Sequence, residues 1–287
     1  MVQSEIYTLN NSGIGATAEE DRLNFQHNVF LRMTKGHLLP AHIEASLPAS
    51  ARIADVATGT GTWLRAAAAR WPAARLDGFD MTPEHFPAPA ALPPAVTLHP
   101  RCQNVLDPFP AEFVGRFDVA HVRLLMYGLK AAEWDRAFAN VVSLLKPGGW
   151  LLWEETGYVS WVSIPPSRAM FEFLSIDVEW ARRAGRDLSF PARLLQSAVN
   201  AGLVDYAEHD HSSFELNGGH DDGSTEAMCR VMTQALFGIV AKGGMDGMKT
   251  KEDAQRLVDD LRKFADTPGC DYGLDMKWVW GRKPLSN

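Results

Sequence analysis

The chain has 287 residues, of which 46% are hydrophobic and 22% charged, so it can bury a full core and extended disorder is not expected. Its formal net charge of −7 argues against a nucleic-acid substrate, because phosphate contacts need an excess of lysine and arginine. The three scattered cysteines predict no metal site, the first residues lack the charged start and apolar core that a signal peptide has, and no apolar run approaches about 20 residues. We therefore expect a cytoplasmic protein with no membrane partner, and its oligomeric state is left open.

The first 155 residues change from helical to alternating periodicity. Apolar spacing predicts an amphipathic helix over residues 20–35 and a second helix over 40–46. Short apolar runs then alternate with helical segments that include residues 62–71 and 132–145. The predicted strands are 52–57, 75–79, 96–99, 117–122 and 150–153, the last of them preceded by the chain-breaking run 146–149. This alternation predicts a parallel sheet with helices on both faces.

The remaining residues predict further helices and one last strand. Ser167 can cap a helix that ends near Ala184, and Pro191 suits the first turn of another. Two more helices are predicted over 225–241 and 251–264, with the final strand at 276–280. We interpret the chain as a single domain with four parts. They are a helical lid (residues 1–50), a cofactor-binding sheet core (51–155), a helical cap (156–200) and a C-terminal part with sheet and helices (201–287).

The turn after the first predicted strand has the features of a ligand-binding loop. Gly59 and Gly61 carry no side chain, so a ligand can approach their backbone closely. Asp80 follows Gly61 by nineteen residues, at the end of the next strand, where a carboxylate can accept hydrogen bonds from both hydroxyls of a ribose. Together these features predict a nucleoside site.

The charge of Asp55, just before this loop, selects among nucleosides. It would repel a pyrophosphate, and Leu64 stands where a dinucleotide site has its third glycine. A negative charge can instead help to hold an ammonium or a sulfonium group. S-adenosylmethionine carries both groups and no phosphate, so it is the predicted cofactor.

Several stretches of the chain resemble the class I S-adenosylmethionine-dependent methyltransferases in order and spacing. They are ADVATGTGTWL, DGFD, FDVAHVRLL and LLKPGGWLLWEE, and together with RLNFQH they look more narrowly like fungal methyltransferases of secondary-metabolite clusters. The resemblance covers about residues 20–155. It implies an α/β, Rossmann-like fold whose seven-stranded sheet is mostly parallel with an antiparallel last strand, and which carries a helical N-terminal lid and a cap insertion. It also implies methyl transfer to a small-molecule acceptor such as a secondary metabolite.

The resemblance further implies which residues hold the cofactor. Ala57 stands where the family usually has the first glycine of the loop. The methyl group of alanine is tolerated there if the φ angle stays negative. Asp80 would hold the ribose and Met81 would pack on the adenine. Asn104 stands where the family has an aspartate that faces the adenine amine, and its amide oxygen can accept the same hydrogen bond. The remaining implied contacts are Asp55, Thr58, Gly59, Gly61, Val105 and His121.

Methyl transfer depends mainly on orientation, and it needs a general base only when the acceptor arrives protonated. His121 ends the fourth strand and should face the cleft, so it is a candidate base. Glu154 ends the fifth strand beside Glu155 and is the second candidate catalytic residue, able to steer an amine or hydroxyl. No metal is expected, because His209 and His211 lack a partner motif rich in carboxylates and are interpreted as solvated surface.

Acceptor selection should lie outside the sheet. Apolar and aromatic residues that follow the fifth strand are candidates for a cap over the acceptor, namely Trp161, Met170, Phe171, Phe173, Leu174 and Trp180. Arg22, Gln26 and His27 on the first helix are candidates for a lid that excludes water.

Three alternative functions remain open at the level of the sequence. The same fold can serve a cyclase or pericyclase that uses the sulfonium only as an electrostatic aid, or a non-catalytic regulator of metabolite biosynthesis. A nicotinamide oxidoreductase is the third, against which Leu64 and Asp55 argue. The accepting atom, whether oxygen, nitrogen, sulfur or carbon, is not predicted.

Overall fold

A computed structural model describes residues 16–101, 103–215 and 223–285. Within these ranges eight strands form the central sheet. They are β1 (Arg52–Val56), β2 (Arg75–Phe79), β3 (Val96–Leu98), β4 (Phe117–Arg123), β5 (Leu145–Glu155), β6 (Trp161–Ile164), β7 (Val204–Ser212) and β8 (Asp271–Arg282).

The strand order is β3-β2-β1-β4-β5-β8-β6, and β7 also pairs with β8. Strands β1 to β5 pair in parallel, whereas β8 runs antiparallel to β5. The predicted mostly parallel, Rossmann-like sheet with an antiparallel last strand is therefore confirmed.

Eight α-helices accompany the sheet in the described part of the chain. They are α1 (Ala16–Met33), α2 (Ala41–Ser46), α3 (Thr62–Arg70), α4 (Trp134–Leu144), α5 (Arg168–Arg183), α6 (Leu194–Asn200), α7 (Ser224–Ala241) and α8 (Lys251–Ala265). The hydroxyl of Ser167 accepts a hydrogen bond from the Met170 N–H and caps α5 as predicted, and Pro191 lies in a short 3₁₀ turn before α6. Among the described residues, no helix combines the length and the apolar character needed to cross a membrane.

Strand β6 is an addition to the seven-stranded sheet that the resemblance implies. It pairs with the first residues of β8, Asp271–Leu274, while β5 pairs with the last ones, Lys277–Arg282. With its twelve residues, β8 is long enough to pair with β6 at its start and with β5 at its end. The four-residue run at 161–164 gives too short a periodic signal to separate it from the cap region, to which the sequence analysis assigned it.

The run Lys146–Gly149 does not break the chain before β5 but belongs to that strand. The pairing of β4 with β5 shifts register between Phe117 and Val119, which places an irregularity opposite the run. Backbone hydrogen bonds from Gly148 N to Lys283 O and from Lys283 N to Gly149 O fix it on the other side. Partners on both sides thus hold a sequence that by itself favours a turn.

The central strands β1 and β4 are covered on both faces. Every residue of Ile53–Val56 and of Phe117–Val122 is buried, as expected for interior strands of a parallel sheet. Most of these residues are apolar, but Asp55, Asp118 and His121 are not. Asp118 is accounted for by its contacts with the Arg52 N–H and with Lys146. Asp55 and His121 lie near the carboxyl ends of their strands, where a site forms.

Gly149 on β5 lies against the backbone of β4. A Cβ added there would lie 2.8 Å from the Phe117 carbonyl oxygen and 3.0 Å from that of Lys146, and neither backbone group can move aside cheaply. We expect Gly149→Ala to lower the free energy of unfolding by about 1–3 kcal/mol. Urea denaturation measures the change, with Thr97→Ala, an exposed strand substitution, as the control. An unchanged midpoint in the glycine variant would contradict this account.

Candidate active site

A cavity opens at the carboxyl ends of β1, β2 and β4, and α1 lies against it. Most of the residues predicted to hold the cofactor line it: Asp55, Ala57, Thr58, Gly59, Asp80, Met81, Val105 and His121. The crossover helices bring them together, because they return each strand in parallel and so gather the strand ends at one edge of the sheet.

Three of the predicted site residues do not line the cavity. Gly61 has a φ of +69° and begins α3. Glu154 is only 3% exposed and lies behind His121. The amide oxygen of Asn104 accepts a hydrogen bond from the Leu106 N–H, so this side chain closes its own loop. The prediction that Asn104 faces the adenine is corrected accordingly, and the cavity wall is formed by its neighbours Gln103 and Val105.

The backbone conformation of Ala57 differs from the one predicted. Its φ is +58°, in the left-handed region that alanine adopts at a cost, whereas a negative φ was expected. The following loop is tight: Thr58 N donates to Phe79 O and Gly61 N donates to Thr58 O. The path of this loop requires the left-handed conformation even though the family's glycine is absent.

Asp80 lies where the cofactor ribose was predicted. Its Oδ2 accepts from the Gly59 N–H and its Oδ1 from the Thr82 N–H, each at 2.8 Å. Burial raises the pKa of Asp80, although these two N–H groups act in the opposite direction. The carboxylate thus joins the β1 loop to the β2 loop and presents its remaining lone pairs at the cavity wall.

His121 bridges two buried carboxylates. Its Nδ1 lies 2.7 Å from Asp55 Oδ1 and its Nε2 lies 3.1 Å from Glu154 Oε1. Burial by itself would lower the pKa of His121, but Asp55 and then Glu154 more than offset burial and raise it. The pKa of Glu154 is in turn lowered, since the hydrogen bond and charge of His121 outweigh its burial. The two carboxylates therefore favour the protonated form of the imidazole.

This arrangement argues against the predicted role of His121 as a general base. A carboxylate oxygen only accepts hydrogen bonds, so both ring nitrogens must donate, and no lone pair remains to take a proton. Both oxygens of Asp55 also have partners. One faces His121, and the other accepts a hydrogen bond of 2.5 Å from the Thr58 hydroxyl. Glu154 lies behind the imidazole and has no surface on the cavity.

Trp63 was not singled out from the sequence. Its ring stacks on the His121 ring with centroids 3.9 Å apart and planes 7° apart. An indole face is a favourable neighbour for an imidazolium because of its negative quadrupole. The sequence signal was present only as a large aromatic residue in the first turn of α3, and such residues are common in cores.

The first helix contacts the cavity, as the lid hypothesis requires. Arg22 and Gln26 line the cavity, but His27 does not. His27 Nδ1 instead accepts from the Arg123 guanidinium at 3.2 Å. Burial and then the charge of Arg123 lower the pKa of His27 to about 2, so the imidazole remains neutral and can accept. Asn24 fixes the same helix to the β1 loop by accepting from the hydroxyls of Thr60 and Thr62.

Of the six residues predicted to cap the acceptor, Trp161 alone lines the cavity. Met170 and Phe173 are buried behind it, and Phe171 is 59% exposed. The apolar side of the cavity instead collects side chains from distant parts of the chain: Phe30, Leu125, Met126, Tyr127, Ala227, Met228, Val231 and Leu274. No periodicity links these positions, so the sequence could not identify them as a group.

Glu155 holds the segment that follows β4. Its carboxylate accepts from the Leu125 N–H at 2.7 Å and from the Thr156 N–H at 3.3 Å. Burial raises the pKa of Glu155 to about 8 in spite of these hydrogen bonds. Because Leu125 to Tyr127 line the cavity, Glu155 acts through the backbone on the shape of the site.

The described residues contain no group of three side chains able to hold a metal ion. His209 and His211 lie on β7, and the ring of His211 makes an edge contact with Trp278. Neither histidine lines the cavity described above.

Replacement of Ala57 tests the strain in the cofactor loop. Ala57→Gly should raise the free energy of unfolding by about 1 kcal/mol, because glycine adopts a positive φ without steric cost. The matched control is Ala66→Gly inside α3, which should lower it by about 1 kcal/mol. Chemical denaturation measures both changes, and a destabilised Ala57→Gly protein would contradict this account.

Glu155 also makes a prediction about pH. Its pKa is about 8 in the folded state against 4.5 ordinarily, so between these values the folded state binds more protons than the unfolded state. The free energy of unfolding should therefore fall as pH rises from about 5 to 8, by up to about 1.4 kcal/mol per pH unit from this group. Glu155→Gln should flatten the dependence and surface Glu112→Gln should not. Equal slopes in all three proteins would refute the assignment.

The comparisons with known proteins agree with this geometry. The model of a family described as "Methyltransferase domain" matches residues 25–205. The methyltransferase grgD of Penicillium sp is 37% identical over 271 residues, which cover 90% of each chain. The N-methyltransferase tcpN of Claviceps purpurea is 32% identical over 82% of this chain and 84% of its own.

The N-methyltransferase gliN of Aspergillus fumigatus is 32% identical over 93% of this chain and 94% of its own. A solved structure of a Haemonchus contortus phosphoethanolamine N-methyltransferase with S-adenosylhomocysteine aligns with 83% of this chain and 50% of its own, at 16% identity and a TM-score of 0.46. By its family match and these curated relatives, the chain belongs to the S-adenosylmethionine-dependent methyltransferases.

Proposed function

We propose that this enzyme methylates a nitrogen atom of a small, largely apolar molecule. The observation that carries the proposal is the bridged state of His121, whose two ring nitrogens both face carboxylates. A hydroxyl acceptor needs a base to expose its nucleophilic electron pair, whereas a neutral amine already has one. The names of tcpN and gliN as N-methyltransferases support the same choice.

The cofactor side of the cavity fits an adenosyl sulfonium. Asp80 offers carboxylate lone pairs for a ribose, and Gly59 has no side chain to obstruct the approach. Gly59 has a φ of +54°, a conformation that residues with a side chain rarely adopt, and Leu23 on α1 lies 3.5 Å from the position that a Cβ would take there. S-adenosylmethionine, when bound, supplies a methyl group already activated by the positive sulfur.

The protein contributes position and exclusion of water. The backbone that follows β4 brings Leu125, Met126 and Tyr127 to the cavity and is held by Glu155. Helix α1 lies against the opening, fixed by Asn24 and His27. Holding the acceptor and the methyl group in line can supply much of the acceleration.

The acceptor side of the cavity supports an apolar substrate. Phe30, Trp161, Met228, Val231 and Leu274 present aromatic, thioether and aliphatic surface. Such walls favour a molecule with an extended apolar body, for which a secondary metabolite is a fitting class.

We further propose that the protein acts in the cytoplasm on a small molecule and not on nucleic acid. Cys229 and Cys270 are free thiols, which suits a reducing compartment. The net charge of −7 supports a partner other than a polyanion.

Two probes that share one skeleton test the accepting atom. With methyl-labelled S-adenosylmethionine, we expect label in 2-naphthylamine at least tenfold faster than in 2-naphthol. The reason is that a neutral amine attacks through a free electron pair and loses its proton only afterwards, whereas the hydroxyl must be ionised first and His121 cannot ionise it. Faster labelling of the naphthol, with a rate that rises with its ionisation, would refute nitrogen as the acceptor.

Asp80→Asn tests the cofactor site with little change in shape. An amide keeps one acceptor oxygen but loses the charge and the second acceptor, so the affinity for S-adenosylhomocysteine should fall about tenfold or more. Titration calorimetry measures this affinity, and Asp107→Asn, on an exposed loop, is the control. Equal affinities for the two variants would contradict the assignment of Asp80.

A further inference from the structure

A phenol and a buried carboxylate form a pair at the acceptor side of the cavity. Tyr127 lines the cavity beside Met126, in the segment that Glu155 holds. The Tyr127 hydroxyl donates a hydrogen bond of 2.7 Å to Asp177 Oδ2 on α5. The proton of this hydroxyl therefore points toward Asp177, and its oxygen can act only as an acceptor toward any other group.

Asp177 is an unusual residue for the inner face of a cap helix. It is 1% exposed, and its Oδ1 has no hydrogen-bond partner among the described residues. Burial raises the pKa of Asp177 to about 7, although the Tyr127 hydroxyl and the charge of Arg186 act in the opposite direction. A carboxylate left half-paired in the interior costs free energy that an apolar residue would avoid, so a purely structural role explains it poorly.

The charged surroundings of Asp177 come from two further segments. Arg186, just after α5, faces it and favours its ionised form, and the charge of Glu133 acts on Arg186 in turn. Tyr127 comes from the segment after β4. The pair thus links a residue that lines the cavity to a buried carboxylate that can hold or release a proton near neutral pH.

We propose that Tyr127 receives the hydrogen of an N–H-bearing methyl acceptor, with Asp177 as the store for the displaced proton. The proposal rests on nitrogen methylation as proposed above. The nitrogen lone pair forms the new N–C bond while the C–S bond breaks and its electron pair stays on sulfur. The N–H proton passes to Tyr127 Oη, the Tyr127 proton passes to Asp177, and Asp177 later releases it to solvent.

This assignment specifies the substrate class more closely. An acceptor that carries at least one N–H is held by Tyr127 and loses its proton on methylation, whereas a tertiary amine offers nothing to the phenol oxygen. Tyr127 would be a catalytic residue, and Asp177, which acts through it, a positioning residue that also stores the proton.

Binding to the S-adenosylhomocysteine complex tests the recognition step without turnover. The probes are 2-naphthylamine and N,N-dimethyl-2-naphthylamine, both followed by their own fluorescence. The wild-type complex should prefer the N–H amine by about tenfold, the value of one good hydrogen bond. Tyr127→Phe should remove the preference and leave the affinity for the dimethyl amine unchanged, and Tyr158→Phe, which removes a hydroxyl from a residue that does not line the cavity, should keep it.

Equal affinities of the wild-type complex for the two amines, or no binding of either, would overturn the proposal, as would a preference that survives in Tyr127→Phe. Unchanged S-adenosylhomocysteine affinity in each variant verifies that the site is still folded.

The pH dependence of a single turnover tests the proton store. With 2-naphthylamine the rate in the wild type should rise through about pH 7 as Asp177 ionises, and Asp177→Asn should be at least tenfold slower with no such rise. Retention of the rise in Asp177→Asn would overturn the proposal, whereas failure of the wild type to methylate 2-naphthylamine while the N–H preference depends on Tyr127 would count against nitrogen methylation instead.

Discussion

The site depends on one buried ionic bridge, in which His121 on β4 joins Asp55 on β1 to Glu154 on β5. These three side chains are only 1–3% exposed. A single charged group buried to this extent would destabilise the fold, because removal of a charge from water costs several kcal/mol. Together they satisfy one another and tie three neighbouring strands at their carboxyl ends. The charge pattern of the cofactor side is fixed by this bridge before any ligand binds.

The bridge also organises its surroundings. Trp63 covers one face of the imidazole, so α3 is positioned by the same group that joins the strands. Arg123 lies 3.7 Å from Glu154 and donates to His27, so the network extends from the sheet to α1. Arg123 thus connects the helix that contacts the opening to the buried bridge at the carboxyl ends of the strands.

The two sides of the cavity are built by different physical means. On the cofactor side, backbone groups of tight loops and two aspartates present polar atoms in fixed directions. On the acceptor side, aromatic, aliphatic and thioether surface comes from α1, α7, β6 and β8, and its polar features are few. A cofactor with many hydrogen-bonding groups suits the first, and an apolar acceptor selected by shape suits the second. The Tyr127–Asp177 pair is a polar exception on the apolar side, which is why it stands out as a chemical group.

Local patterns in the sequence were sufficient for the alternation of strands and helices in the core, the cofactor class and the placement of Gly59 and Asp80 beside each other, because the ends of parallel strands gather at one edge of the sheet. The left-handed conformation of Ala57, the inward turn of Asn104 on its own loop and the strand β6 were decided by partners distant in sequence or by loop closure. The bridged state of His121 likewise required Asp55 and Glu154 to meet it from two other strands. Periodicity in the sequence indicates which face of a helix or strand is buried. Only tertiary packing determines which side chains come into contact on that face, and the chemistry of the acceptor side depends on those contacts.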